Sequence, residues 1–136
     1  MAGEKDLGKL LASMEPVVFP DEYVFCTVVG GAYGDYSEYC PVASFVEPES
    51  LTLVLTRKNA DRADFQYESV FKRITLNVHS SLDAVGLTAA VSGKLAENGI
   101  SANVIAGYFH DHVFVQAEKI DIAFECLKGF CDGRKD

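Results

Sequence analysis

From Lys72 to Val115 the hydrophobic and polar positions alternate in a way that names its own elements. Ile74, Leu76 and Val78 alternate with Thr75, Asn77 and His79, and period-two alternation of this length predicts a strand with one buried face. In the polar run that follows, Ser80, Ser81 and Asp83 each carry an oxygen able to accept from an open backbone N–H, so one of them is expected to cap a helix. Leu87, Ala90, Val91 and Leu95 then fall three and four apart. That spacing predicts a helix from about Ala84 to Asn98 with one apolar face, and Asn98-Gly99 is its stop signal. A second strand is expected from Ile100 to Phe109, a turn at His110-Asp111-His112, and a third strand from Val113.

The same reading extends outward. Leu7, Leu10 and Leu11 predict a short helix over Lys5 to Met14, ended by Pro16 and Pro20, which carry the chain through an extended segment. Glu22 to Val29 is β-branched and aromatic and reads as a strand. Gly30 to Cys40 is rich in glycine and tyrosine and is expected to be a mobile loop. Two short strands flank a tight turn at Glu47 to Ser50, with Pro48 suited to its second position. Lys58 to Asp64 is expected to make one or two helical turns. Glu118 to Phe130 returns to helical spacing, with Ile122, Phe124, Leu127 and Phe130 apolar. The order predicts an α+β fold with helices on one face of an antiparallel sheet. The second half reads as a ferredoxin-like βαββα without its last strand. The first half reads as a similar unit whose first helix is replaced by the Gly30–Cys40 loop.

Composition narrows the partners. At 136 residues the chain is one domain or two very small ones, and 49% hydrophobic with 24% charged residues is ordinary for a globular protein. A net charge of −8 argues against nucleic acid and anionic membranes, which need clustered Lys and Arg. The sequence has no apolar run of membrane-spanning length and no signal-peptide pattern at Met1–Leu11, so a cytoplasmic location is expected. Cys26, Cys40, Cys126 and Cys131 have neither CxxC nor zinc spacing. No disulfide framework, metal or cofactor is expected.

Candidate chemistry gathers at the junctions. Gly86, at a helix opening, either admits a close-packed neighbour or leaves room for a ligand; open N–H groups and the helix dipole make such an end suited to an anion. His79 closes the central strand beside it, as a functional or a hydrogen-bonded structural histidine. The two histidines of His110-Asp111-His112 alternate sides in extended chain, so a polar turn explains them without metal. Tyr33, Tyr36 and Tyr39 are candidates for a lid or a partner contact. No Ser-His-Asp order, paired catalytic carboxylates or phosphate loop stands out.

The string ITLNVHSSLDAVGLTAAVSGKLAENGISANVIAGYFHDHVFV resembles an ACT domain: strand, polar turn, glycine at the helix start, helix, NGI, then an N-V-x-A strand. With EYVFCTV and SLTLVL in the first half, the chain is similar to the short tandem ACT proteins of bacteria and to the ACT pair of aspartate kinases. The resemblance implies ferredoxin-like units in tandem, an atypical half at 1–66 and an ACT domain at 67–136. It implies a non-catalytic regulatory module that binds a free amino acid or similar small zwitterion and forms a homodimer, regulating any enzyme in trans. The implied site comprises His79, Ser80, Ser81, Asp83, Val85, Gly86 and Leu87, with Asn103, Val104, Ile105 and Ala106 across from them. Helix amides near Gly86 would hold an α-carboxylate, and Asp83 or carbonyls of the second strand the α-ammonium. The alternative is a ligand-free adaptor that pairs through the sheet edge left open by the missing strand.

Overall fold

The computed structural model describes Gly3 and residues 5–131. In chain order these form α1 (Leu7–Ser13), β1 (Pro16–Val28), β2 (Ala43–Val46), β3 (Leu51–Thr56), α2 (Arg57–Arg62), β4 (Phe71–Leu76), α3 (Leu87–Glu97), β5 (Asn103–Ala106), β6 (Asp111–Gln116) and α4 (Ile120–Cys131). The fold is α+β and ferredoxin-like, with antiparallel strands. The chain packs as two compact units, one of residues up to Pro20 with those from Lys72 onward, the other of Asp21–Phe71.

The first unit is built on β4-α3-β5-β6-α4, and its strands run in the order β1–β4–β6–β5. Here β1 contributes only its opening residues. Asn77 N donates to Glu15 O at 3.0 Å and Lys72 Nζ to Pro20 O at 2.6 Å. The strand expected to be missing is therefore supplied by the chain's own Pro16–Pro20 segment, and the edge expected to be open is closed. A proline has no N–H for a ladder, and Pro20 falls where β1 passes from one unit to the other. Leu10 and Met14, Ile74 and Leu76, Leu87, Val91 and Leu95, Ile100, Val113 and Val115, and Ala123 and Leu127 form one core. Each large side chain buried in this way contributes about 1.5–3 kcal/mol. Ile122, one of the apolar residues at helical spacing in the last helix, is exposed; Ala123 and Leu127 carry the buried face.

Local signals set the helix ends. Asp6 Oδ1 accepts from Lys9 N at 3.0 Å and starts α1. Gly99 (φ +72°) ends α3 in a left-handed turn, with Ile100 N on Leu95 O and Gly99 N on Ala96 O, both at 3.0 Å. This double bond pattern needs a residue without Cβ strain, and it delivers Ile100 into the core. The opening of α3 differs from expectation. It begins at Leu87, and no serine or aspartate caps it: Ser80–Ala84 form their own turn, with Ser81 Oγ accepting from Asp83 N and Ser81 O from Ala84 N. Side chains of this kind offer the backbone such local alternatives to a helix.

In the second unit the order is β2–β3–β1. Antiparallel pairing sets Val24 opposite Leu55, Cys26 opposite Leu53 and Val28 opposite Leu51, and these side chains with Ala60 of α2 make its core. The Gly30–Cys40 segment is not a loose loop. Asp35 Oδ2 holds Ala32 N at 2.8 Å, Ser37–Tyr39 form a 3₁₀ turn, and Tyr36 and Tyr39 pack on Phe65 with ring centroids 4.9 and 6.4 Å apart. Asn59 Nδ2 donates to Tyr39 O at 3.0 Å. Two of the three tyrosines therefore finish the core, and only Tyr33 is fully in solvent.

Candidate ligand site at the opening of helix α3

The segment between β4 and α3 leaves the sheet at Leu76, turns at Ser80–Ala84 and enters the helix at Gly86. Gly86 takes φ +100°, and a Cβ there would lie 3.1 Å from Leu7 Cδ2 of α1. Both its conformation and its neighbour therefore require glycine. It is the residue before the helix, and among the described residues no side chain caps the first turn of α3.

Two cavities flank this turn. The larger, about 230 Å³, is lined by Gly3, His79, Ser80, Ser81, Leu82, Asp83 and Tyr108. The smaller, about 60 Å³, reaches the helix opening and is lined by Ser80, Ser81, Leu82, Ala84, Leu87, Thr88, Ala106 and Asp111. Of the residues anticipated from sequence, His79, Ser80, Ser81, Asp83, Leu87 and Ala106 line one or both cavities. Val85 points into solvent, at 84% exposed. Asn103 is in β5, its Nδ2 donating to Phe114 O at 3.4 Å; Val104 packs against the core, and Ile105 lies opposite His112. These three line neither cavity.

The hairpin beside the site is offset from expectation. Gly107 N bonds His110 O at 2.9 Å, so the turn is Gly107–His110 and Asp111 already begins β6. This separates Asp111 and His112 onto opposite faces. His112 Nδ1 lies 2.9 Å from Thr75 Oγ1 and 3.3 Å from Arg73 Nη2. A guanidinium only donates, so Nδ1 accepts and the ring proton resides on Nε2. Burial, then the Arg73 charge, then His110 lower the His112 pKa below the usual histidine value. Asp111 faces the other way, with Val113 and Val115. It is 7% exposed, and burial raises its carboxyl above the usual aspartate value against the opposing charge of His110. Period-two spacing back from Val113 and Val115 puts Asp111 on their face and takes it out of the expected His110-Asp111-His112 turn. At the rim, His79, Tyr108 and Phe109 form a ring cluster with centroids 5.0 to 6.0 Å apart. Tyr108 and Phe109 are 57% and 60% exposed. Among the described residues no group of three or more His, Cys, Asp or Glu is placed to hold a metal ion.

This geometry meets a clear family signature. The ACT domain profile matches residues 2–72 and, in a second form, residues 69–129. The chain belongs to the ACT domain family, as a tandem pair. It is 54% identical to a Vibrio cholerae protein of unknown function, described as a possible transport protein, whose crystal structure it matches with a TM-score of 0.84 over 93% of this chain and 97% of that one. A structure from Agrobacterium tumefaciens matches at 14% identity and TM-score 0.72, covering 87% and 89% of the two chains. The ligand-free regulatory subunit of aspartate kinase from Thermus thermophilus matches at 10% identity and TM-score 0.60, covering 85% and 97%. At these lower identities the likeness is one of fold, that of the paired ACT units of aspartate kinase regulatory subunits. Among curated proteins none matches the chain.

Proposed function

We propose that this chain is a non-catalytic regulatory module that binds a free amino acid or similar small zwitterion at the opening of α3. The observation that carries the reading is the uncapped first turn of α3 beside two cavities that share Ser80, Ser81 and Leu82. Open amides and the aligned peptide dipoles at such an end favour a carboxylate. The binding role falls to the second half, residues 67–136. The atypical first half, 1–66, has no polar turn followed by glycine and is assigned none. The Thermus thermophilus protein of like fold is the regulatory subunit of aspartate kinase, which supports a regulatory role here, exercised on an enzyme in trans. Among the described residues no helix is long and apolar enough to cross a membrane, and the acidic charge suits a cytoplasmic protein.

A thermal-shift screen with the twenty amino acids tests this. A ligand present at a hundredfold excess over Kd stabilises the folded state by about 2.7 kcal/mol. A shift with one or a few of them supports the proposal, and no shift with any at millimolar concentration ends it. The exposed Leu82, Val85, Tyr108 and Phe109 around the site favour a second component of the reading, association through this face, either as a homodimer or, in the ligand-free alternative, with another polypeptide. Sedimentation of the purified chain distinguishes dimer from monomer.

A further inference from the structure

Two glycines mark where the segment ahead of α1 meets the connection from β4 to α3. A Cβ on Gly3 would lie 2.5 Å from the Ser80 carbonyl carbon and 2.7 Å from both His79 O and Ser81 N. These are backbone atoms, which cannot swing aside as the end of a side chain can. Gly3 does not take a left-handed φ, so room alone requires glycine at this position. Farther on, Leu7 Cδ2 comes so close to Gly86 that a Cβ there would lie 3.1 Å from it. The segment therefore touches the connection at two places, the Ser80 peptide and Gly86.

The helix that follows is fixed, with Leu10 and Met14 in the core. Between the two glycine contacts the picture differs: Lys5 and Asp6 are exposed, and no described residue is buried. A stretch tied at its ends, with no buried apolar residue between them, opens at lower free energy than the core beneath it, and lids are drawn from such stretches. Gly3 also forms one wall of the 230 Å³ cavity, whose other walls are His79–Asp83 and Tyr108. We propose that the segment carrying Gly3 is a strap over this cavity: seated on the Ser80 peptide it completes the wall, and lifted it opens the cavity to solvent. The strap stands on packing alone. Its use as a gate rests on the amino-acid reading above: a molecule held in the cavity leaves only when the strap lifts, so the strap sets how long the site stays occupied.

The test uses the whole chain and Gly3→Val, in which the strap cannot seat. Two amides report on the turn beneath it, Asp83 N on Ser81 Oγ at 3.1 Å and Ala84 N on Ser81 O at 2.9 Å. Native-state hydrogen exchange should be at least tenfold faster at both in Gly3→Val and unchanged at Val91 and Leu95 of α3. No change at the turn overturns the strap, and so does an equal acceleration in α3, which would make Gly3 a support of the whole fold. Should Gly3→Val fail to fold, the wild type in low urea decides: the two amides open in a step with smaller urea dependence than Val91 and Leu95, or the strap is wrong. The gate is read by calorimetric titration with each of the twenty amino acids. Any that binds the wild type should bind Gly3→Val at least tenfold more weakly; equal or tighter binding overturns the gate. Binding of none to the wild type overturns the amino-acid reading and the gate together, while the exchange data still decide the strap.

Discussion

Two glycines in and beside one helix should respond to the same substitution with opposite signs. Gly86 precedes α3 at φ +100°, ψ −17°, where an L-residue is strained by about 1–2 kcal/mol. A methyl group there also comes within 3.1 Å of Leu7 Cδ2, so the Leu7 side chain must shift. Gly86→Ala should therefore destabilise by about 2 kcal/mol, which for a domain of this size lowers Tm by about 6–10 °C. Gly93 sits in the exposed interior of α3, and a Cβ there meets nothing within 4 Å. Gly93→Ala should stabilise by about 1 kcal/mol, the helix-propensity difference, and raise Tm by about 3–5 °C. Urea unfolding of both variants, with m-values compared to confirm a common transition, measures the pair. Adding Leu7→Ala to Gly86→Ala separates crowding from backbone strain, since only the crowding part is relieved. A Gly86→Ala protein within 0.5 kcal/mol of wild type would refute the account of how α3 begins.

Three further outcomes are expected. Because the folded protein holds His112 below its usual pKa, the unfolded chain binds more protons around and below pH 6.5; stability is full above that value and falls as pH drops toward the folded pKa. His112→Gln should remove part of that acid-side loss in urea titrations at pH 5 and 7. Asp111 has the opposite sign: its raised pKa makes its contribution complete below about 3.8 and lost as pH rises through the folded value. Asp111→Asn should therefore gain stability relative to wild type as pH rises from about 4 to about 7, as urea unfolding at the two values would show, and a variant that loses stability over that range would refute the direction of the shift. Cys40 is exposed whereas Cys26 is buried with its thiol pushed up by burial; a thiol reagent should modify Cys40 in the native protein and Cys26 only on unfolding, as peptide mapping would show.

What was legible along the chain was whatever nearest neighbours decide. Period-two alternation around Ile74 and Leu76, helical spacing of Leu87, Val91 and Leu95, and the Asn98-Gly99 stop are local, and each appears where its residues predict. The ACT resemblance added the pairing of units. Three things came only with the tertiary structure. Pro16–Pro20 closes the sheet beside β4, more than fifty residues away, and an extended segment with two prolines carries no local mark of its partner. Tyr36 and Tyr39 look like loop residues until Phe65 is set beneath them. Asp111 reads as turn chemistry until the Gly107–His110 bond shifts the hairpin and turns its carboxylate inward. Local backbone preferences are written in short windows of residues; which surfaces meet, and so which charge loses its water, depends on contacts that only the folded chain brings together.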